Sequence, residues 1–172
     1  MGSVWSLFGY GNHGRTDDPD PVTGLTSRDR YHVKTSWAGV MKNPTENGVA
    51  LLILLFEKYP TAKEVFPFRD IPNSELAKNA RVKVHANAVV YAIASIVDAI
   101  DNVDLLVPML EKVGTSHGPR KVSEEQFLQL KETIVELFSK FMKKEEVEAW
   151  KKALDVVMSV INKALKTYLD GH

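Results

Sequence analysis

The sequence predicts an all-α domain. From Thr26 onward, apolar residues recur at spacings of three and four, the period of one helix face. No segment alternates apolar and polar residues for long enough to make a half-buried strand. Capping residues, prolines and glycines divide the periodic stretch into about seven or eight helices.

Residues 1–25 stand apart from this pattern. Gly2, Gly9, Gly11, Gly14 and Gly24 accompany Asp17-Asp18-Pro19-Asp20-Pro21, the composition of a flexible arm. The folded domain is expected over 26–172. Thr26 or Ser27 caps a first helix that carries Val33, Trp37 and Val40 on one face. Asn43-Pro44 ends it and opens a second, since proline is accepted in a first helical turn. That helix carries Val49, Leu52, Ile53, Leu55 and Phe56 and reaches Tyr59. Pro60 begins a turn-rich segment, after which Asn73 or Ser74 caps a long helix running to about Ile100. A shorter helix covers Asp104 to His117 and stops at Gly118-Pro119. Ser123 with Gln126 forms a capping box for a helix bearing Phe127, Leu130, Ile134, Leu137 and Phe141. The last helix repeats Val147, Trp150, Leu154, Val157, Ile161 and Tyr168.

The totals narrow the function. At 172 residues, one domain is expected. With 22 basic and 22 acidic residues the formal charge is zero, so nucleic acid is not an expected partner. No cysteine is present, which excludes disulfides, thiolate catalysis and zinc–thiolate sites. The longest fully apolar run, Val49 to Phe56, is far below the ~20 residues of a membrane-spanning helix. No secretory signal opens the chain, and a cytoplasmic protein is expected. Met1-Gly2-Ser3-Val4-Trp5-Ser6 fits the N-myristoylation pattern. Myristoylated Gly2 would give weak association with the inner face of the plasma membrane, because one chain binds only marginally. There is no cysteine for a second acyl chain, and Arg15 is the cation nearby; Trp5, Leu7 and Phe8 would add apolar contact.

Of five histidines, His13, His32 and His172 read as surface residues. His85 and His117 differ, because each sits on an apolar face. His85 shares its face with Val89, Ala92, Ile93 and Ile96, and His117 with Leu106, Leu110 and Val113. At ~1.5 Å rise per residue, His85 lies about 22 Å before the turn near Ile100, and His117 about 20 Å after it. A short turn makes the two helices roughly antiparallel, so both imidazoles return to one level. A zinc ion held by these two alone would be under-coordinated. Haem iron needs only one axial protein ligand, and a flat apolar macrocycle suits the aliphatic neighbours.

With these residues in place, the chain resembles the globin family, closest in style to arthropod and other invertebrate intracellular globins. The resemblance spans about residues 26–169. It rests on Ser36-Trp37, LLFEKYP at 54–60, FPFRDIP at 66–72, NARVKVHANAVV at 79–90, VGTSHGPR at 113–120 and the two closing helices. It implies a globin fold around a haem pocket, with haem b as the cofactor. His117 matches the proximal iron ligand and His85 the distal histidine. Phe66 matches the phenylalanine packed on the haem, Val89 the distal aliphatic residue and Leu52 the distal residue of the second helix. Val113, Val122, Phe127 and Leu130 are expected to line the proximal and inner pocket. Arg120 is the candidate partner of a haem propionate, with Arg69 and Arg81 behind it. Three features depart from the family pattern: the stretch between Phe66 and His85 is slightly shorter than in vertebrate muscle globins, Gly118-Pro119 follows His117 at once, and Ala88 stands where many globins place a basic propionate partner.

The resemblance implies reversible binding of dioxygen, and of carbon monoxide and nitric oxide, for storage, supply or sensing. An N–H from His85 would stabilise a polar diatomic ligand by about 1–3 kcal/mol. Leu52 and Val89 would keep the site dry, and no tyrosine at the Leu52 position adds a second donor. The alternative is a bis-histidine globin, with His85 itself on the iron, in redox, nitric-oxide or reactive-oxygen chemistry. No Ser–His–Asp set, phosphate loop or paired-carboxylate motif is present, so no enzyme is expected beyond dioxygenase, nitrite-reductase or peroxidase-like side activity. Such turnover would need a separate reductase, and a homodimer is compatible with the same reading. A haem-free helical interaction module is the third reading.

Overall fold

The computed structural model describes residues 18–171. Gly2, Trp5, Leu7, Phe8, His13, Arg15 and His172 lie outside the described residues, and so does the acylation pattern. The described chain forms helices α1 (Ser27–Val40), α2 (Pro44–Lys58), α3 (Asn73–Leu76), α4 (Ala80–Ala99), α5 (Val103–His117), α6 (Glu124–Ser139) and α7 (Lys144–Asp170). Two 3₁₀ turns, Pro60–Val65 and Gly118–Arg120, join them, and no strand occurs among the described residues.

The folded body begins earlier than residue 26. The Asp20 carboxylate accepts from the backbone of Val22 at 3.0 Å and Thr23 at 2.8 Å. Asp20 N–H donates to the Leu25 carbonyl at 3.0 Å, with Gly24 left-handed at φ 69°. This turn delivers Leu25 into the core, 2 % exposed. A single buried leucine behind a Pro-Gly turn leaves no period to read, which is why the arm was expected to run to 25.

Thr26 caps α1 in a reciprocal box with Asp29, and Pro44 opens α2. The long fourth helix starts later than Asn73. Asn73–Leu76 closes a single turn that buries Leu76 completely. The chain then restarts at Asn79, whose side chain accepts from Arg81 and Val82 N–H at 2.9 and 3.3 Å. Two asparagines six residues apart give the same local signal in the sequence, but only Asn79 caps; the Asn73 side chain accepts from Lys63 instead. α5 carries Pro108 in its interior and is capped by Asn102. α6 keeps the expected Ser123–Gln126 box but ends at Ser139, and Phe141 stands 58 % exposed instead of on the core face.

Two cores result. α1, α5 and α6 pack on α7, around Trp37, Phe138 and Trp150. Trp150 lies 5.6 Å from Trp37 and 4.9 Å from Phe138 between ring centroids, and its N–H donates to Ser36 Oγ at 2.9 Å. α2 crosses α4 where Gly48 meets Ala86; a Cβ there would stand 2.5 Å from the Ala86 carbonyl oxygen. This second core contains Phe56 of α2 and adds Phe68 from the segment that links α2 to α4. Leu130 of α6 packs against both cores, so the gap between them opens at its side chain.

Candidate functional site

That gap is a cavity of about 470 Å³, within the ~300–1,000 Å³ of cofactor sites. His85 from α4 and His117 from the end of α5 both line it, as do Leu52, Phe66, Val89, Val122, Phe127, Leu130 and Arg120. Nine of the ten residues expected from the sequence therefore meet on one wall or another. Val113 does not reach this cavity. It lines a smaller apolar one of about 120 Å³ immediately inside, which shares Val89, His117, Phe127 and Leu130 with the first.

His117 is held by its own helix. Its Nδ1 lies 2.8 Å from the Val113 carbonyl, which can only accept, so Nδ1 carries the proton. In the neutral ring Nε2 then carries the lone pair. A backbone acceptor on the far nitrogen fixes the ring and raises the basicity of the other, the usual support for a metal-ligating histidine. Ser116 Oγ donates to the same carbonyl at 2.9 Å, and the Phe127 ring stands edge-on to His117 at 5.2 Å. Gly118 permits the turn that follows: a Cβ would fall 2.1 Å from the Tyr168 ring. Gly118-Pro119 thus seats the end of α5 on α7 and leaves His117 in place.

His85 is held by rings alone. Phe66 approaches it at 5.0 Å and 88°, Phe68 at 6.0 Å and 64°. No protein hydrogen bond reaches either nitrogen of His85 among the described residues. Burial lowers its pKa below the ordinary 6.5, and the nearness of His117 and Arg120 lowers it further. A neutral imidazole, half-buried with both nitrogens unused, stands ready for something in the cavity.

Arg120 lines the mouth and also a shallow vestibule of about 450 Å³ that it shares with Arg69. Its guanidinium donates to the Ser116 carbonyl. Arg69 leans on Asp70 at 4.0 Å, and Arg81 lines neither space. Ala88 is exposed and away from the cavity. Sequence reasoning missed Leu55, Ala62, Val65, Pro67, Ser116 and Gln126 on the cavity wall. Leu55 and Pro67 were within reach, one turn from Leu52 and beside Phe66. Gln126 had been assigned to its cap alone, and it does accept from Ser123 N–H at 2.9 Å.

These residues fit a haem: one oriented imidazole with a free lone pair, one unpartnered imidazole, apolar walls and a basic mouth. No cluster of three or more His, Asp or Glu residues offers a bare metal site among the described residues.

A family model described as Globin matches residues 49–161. Cytoglobin-1 of Oryzias latipes is 32 % identical over 151 residues, covering 84 % of this chain and 85 % of the relative. The anaerobic nitrite reductase HBII of Casuarina glauca is 28 % identical, covering 83 % of this chain and 94 % of its own. A Drosophila melanogaster structure described as a hexa-coordinate hemoglobin superposes with TM-score 0.76 at 30 % identity, covering 80 % of this chain and 93 % of that one.

Proposed function

The chain belongs to the globin family, and from that premise we propose that it binds dioxygen reversibly through haem b seated between His117 and His85. The observation that carries this is the pair of imidazoles lining one cavity, His117 with Nδ1 tied to Val113 and His85 with neither nitrogen used. Bound there, haem supplies an iron that takes a small gas as ligand. The chain has no cysteine for thioether attachment, so the group is held non-covalently, as haem b is. His117 would hold the iron through Nε2. Neutral His85 offers an N–H to a polar ligand in the cavity. Leu52, Val89 and Phe66 exclude water, and Arg120 at the mouth suits a carboxylate.

Reconstitution with hemin tests the reading. The wild-type chain should give a Soret band of one-to-one stoichiometry, and His117→Ala should lose it or broaden it severely. Unchanged haem uptake by that variant would remove His117 as the ligand.

One observation favours a second coordination. The unbonded nitrogens of His85 allow it to occupy the iron itself, and the Drosophila relative is described as hexa-coordinate. Sharp visible bands in the ligand-free ferrous form would assign that state, and one broad band the open one. The nitrite-reductase relative suggests a nitrite or nitric-oxide side reaction, which would draw electrons from a separate reductase. Gly2 supports a cytoplasmic protein with weak membrane association if acylated. Mass spectrometry after co-expression with an N-myristoyltransferase checks it; an unmodified Gly2 would end that part of the reading.

A further inference from the structure

α4 is more apolar than its burial requires. Among the described residues it is the one helix long and apolar enough, by length and composition, to cross a bilayer. One flank of it enters the two cores and an adjoining flank carries His85 and Val89. The outer flank is left uncovered. Arg81, Val84, Ala88, Tyr91, Ser95 and Asp98 are all exposed, Val84 at 71 % and Tyr91 at 51 %. Their spacing is three, four, three, four, three, the repeat of a helix seam that packs against another helix. The seam carries a cation at one end, an anion at the other and no charge between. Neither Arg81 nor Asp98 makes an ion pair within the described residues.

We propose that this seam is an isologous dimer interface, in which α4 of one copy lies antiparallel on α4 of a second across a two-fold axis between Ala88 and Tyr91. A two-fold axis makes residue i meet residue j and j meet i. Placed there, it pairs Arg81 with Asp98 of the second copy, Val84 with Ser95 and Ala88 with Tyr91, each twice. Every pair is complementary. The ends are opposite charges, and each large side chain faces a small one. Ser95 Oγ already donates to the Tyr91 carbonyl at 3.0 Å on its own helix, so covering it leaves no orphaned hydroxyl. A parallel arrangement would set Arg81 on Arg81 and Asp98 on Asp98, and charge repulsion rejects it. The six positions are fewer than the ~20–30 residues a side of a standard interface, so the dimer is a weak, concentration-dependent one. This inference does not depend on the haem reading, because no seam residue lines the cavity.

The test is sedimentation equilibrium of the full-length, haem-loaded chain across about 10 µM to 1 mM, a span of two decades in affinity. The wild type should shift from monomer towards dimer as concentration rises. Asp98→Arg should weaken association at least tenfold, by facing Arg81 of the second copy. Ala88→Glu should abolish it, by placing a charge against Tyr91. The double variant Arg81→Asp with Asp98→Arg restores every end pair in reverse and should recover association to within a few-fold. The thermal midpoint and Soret band should not move in any of these, because all three positions are exposed. A monomer at every concentration would overturn the proposal. So would a dimer indifferent to Asp98→Arg and Ala88→Glu, or a charge reversal that fails to recover. A monomer that instead co-sediments with phosphatidylcholine vesicles, and loses this with Tyr91→Glu, would assign the face to a lipid surface and overturn it as well.

Discussion

His117 and His85 illustrate how one residue type serves two ends by its hydrogen bonds. The carbonyl of Val113 fixes the His117 tautomer, so its lone pair is available without a proton being lost. His85 lacks any such partner and keeps both nitrogens for the cavity. We predict that His85→Leu converts a six-coordinate ferrous spectrum to five-coordinate if His85 ligates, and otherwise speeds dioxygen release on the order of 10- to 100-fold, the loss of one hydrogen bond to a polarised ligand. Stopped-flow release from the ferrous complex distinguishes the two; no change in either observable would exclude His85 from the site. Asp29 is the second informative residue. Burial pushes its carboxyl up, but the bonds from Lys152 and Thr26 outweigh burial and hold it below 3.8. Its stabilisation is therefore present above pH 3.8 and lost as pH falls through the lowered value. Asp29→Asn should cost about 1–3 kcal/mol at neutral pH and flatten the acid limb of the stability curve. Urea melts at pH 7 and near pH 4 measure both, and an equal deficit at the two would count against the charge. The two cavity histidines were legible because the helical period puts each on an apolar face. Ser116 was not, since it is an exposed polar residue off the apolar face of α5 and carries no periodic signal.

At the level of elements, the site depends on how closely α2 and α5 approach their neighbours. Gly48 lets α2 rest on Ala86, the residue after His85. Gly114 does the same for α5 on α7, where a Cβ would stand 2.3 Å from the Ile161 carbonyl oxygen. In both cases the obstructing atom is backbone and cannot rotate away. Gly48→Ala should cost about 1–3 kcal/mol, the usual penalty of overpacking, and should also shift the ferrous visible bands by displacing α4. A chemical melt together with the spectrum tests the pair of effects; lost stability with an unmoved spectrum would uncouple α2 from the site. Helix type and order were readable throughout, from period and caps. The start of α4 was not, because Asn73 and Asn79 look alike as caps in the sequence and only Asn79 makes the cap bonds. Nor was the end of α6, where Phe141 continues the apolar spacing two residues past the last helical residue.

For the whole molecule, the cavity between two cores has an energetic consequence. Each core packs its own aromatic group, and the walls between them are apolar on both sides. A ligand that fills the gap binds the folded chain alone and stabilises it in proportion to its affinity. Extracting haem should therefore lower the thermal midpoint markedly, with hydrogen exchange loosening most around α4 and the end of α5. A midpoint that does not move would mean the gap closes without its ligand. Ser36 provides a contrasting check, since it lines neither cavity. Ser36→Ala orphans the buried Trp150 N–H and should cost about 1–3 kcal/mol with no change in the Soret band.

By itself the sequence determined that the protein is helical, that two histidines come to one level, and that both face an apolar gap. These follow from period, caps and the rise of a helix, all of which are local. The family resemblance supplied the roles of Phe66, Val89, Leu52 and Arg120. Only the tertiary structure decided that Val113 lines an inner cavity, that Arg81 faces outward, and that Leu25 belongs to the core. Those outcomes turn on which flank of a helix its neighbours cover, and the neighbours come from distant parts of the chain. The same reason hides the outer seam of α4 from the sequence. Val84, Ala88 and Tyr91 carry no local mark that sets them apart from the buried flank, and only the packing of the other helices leaves them uncovered.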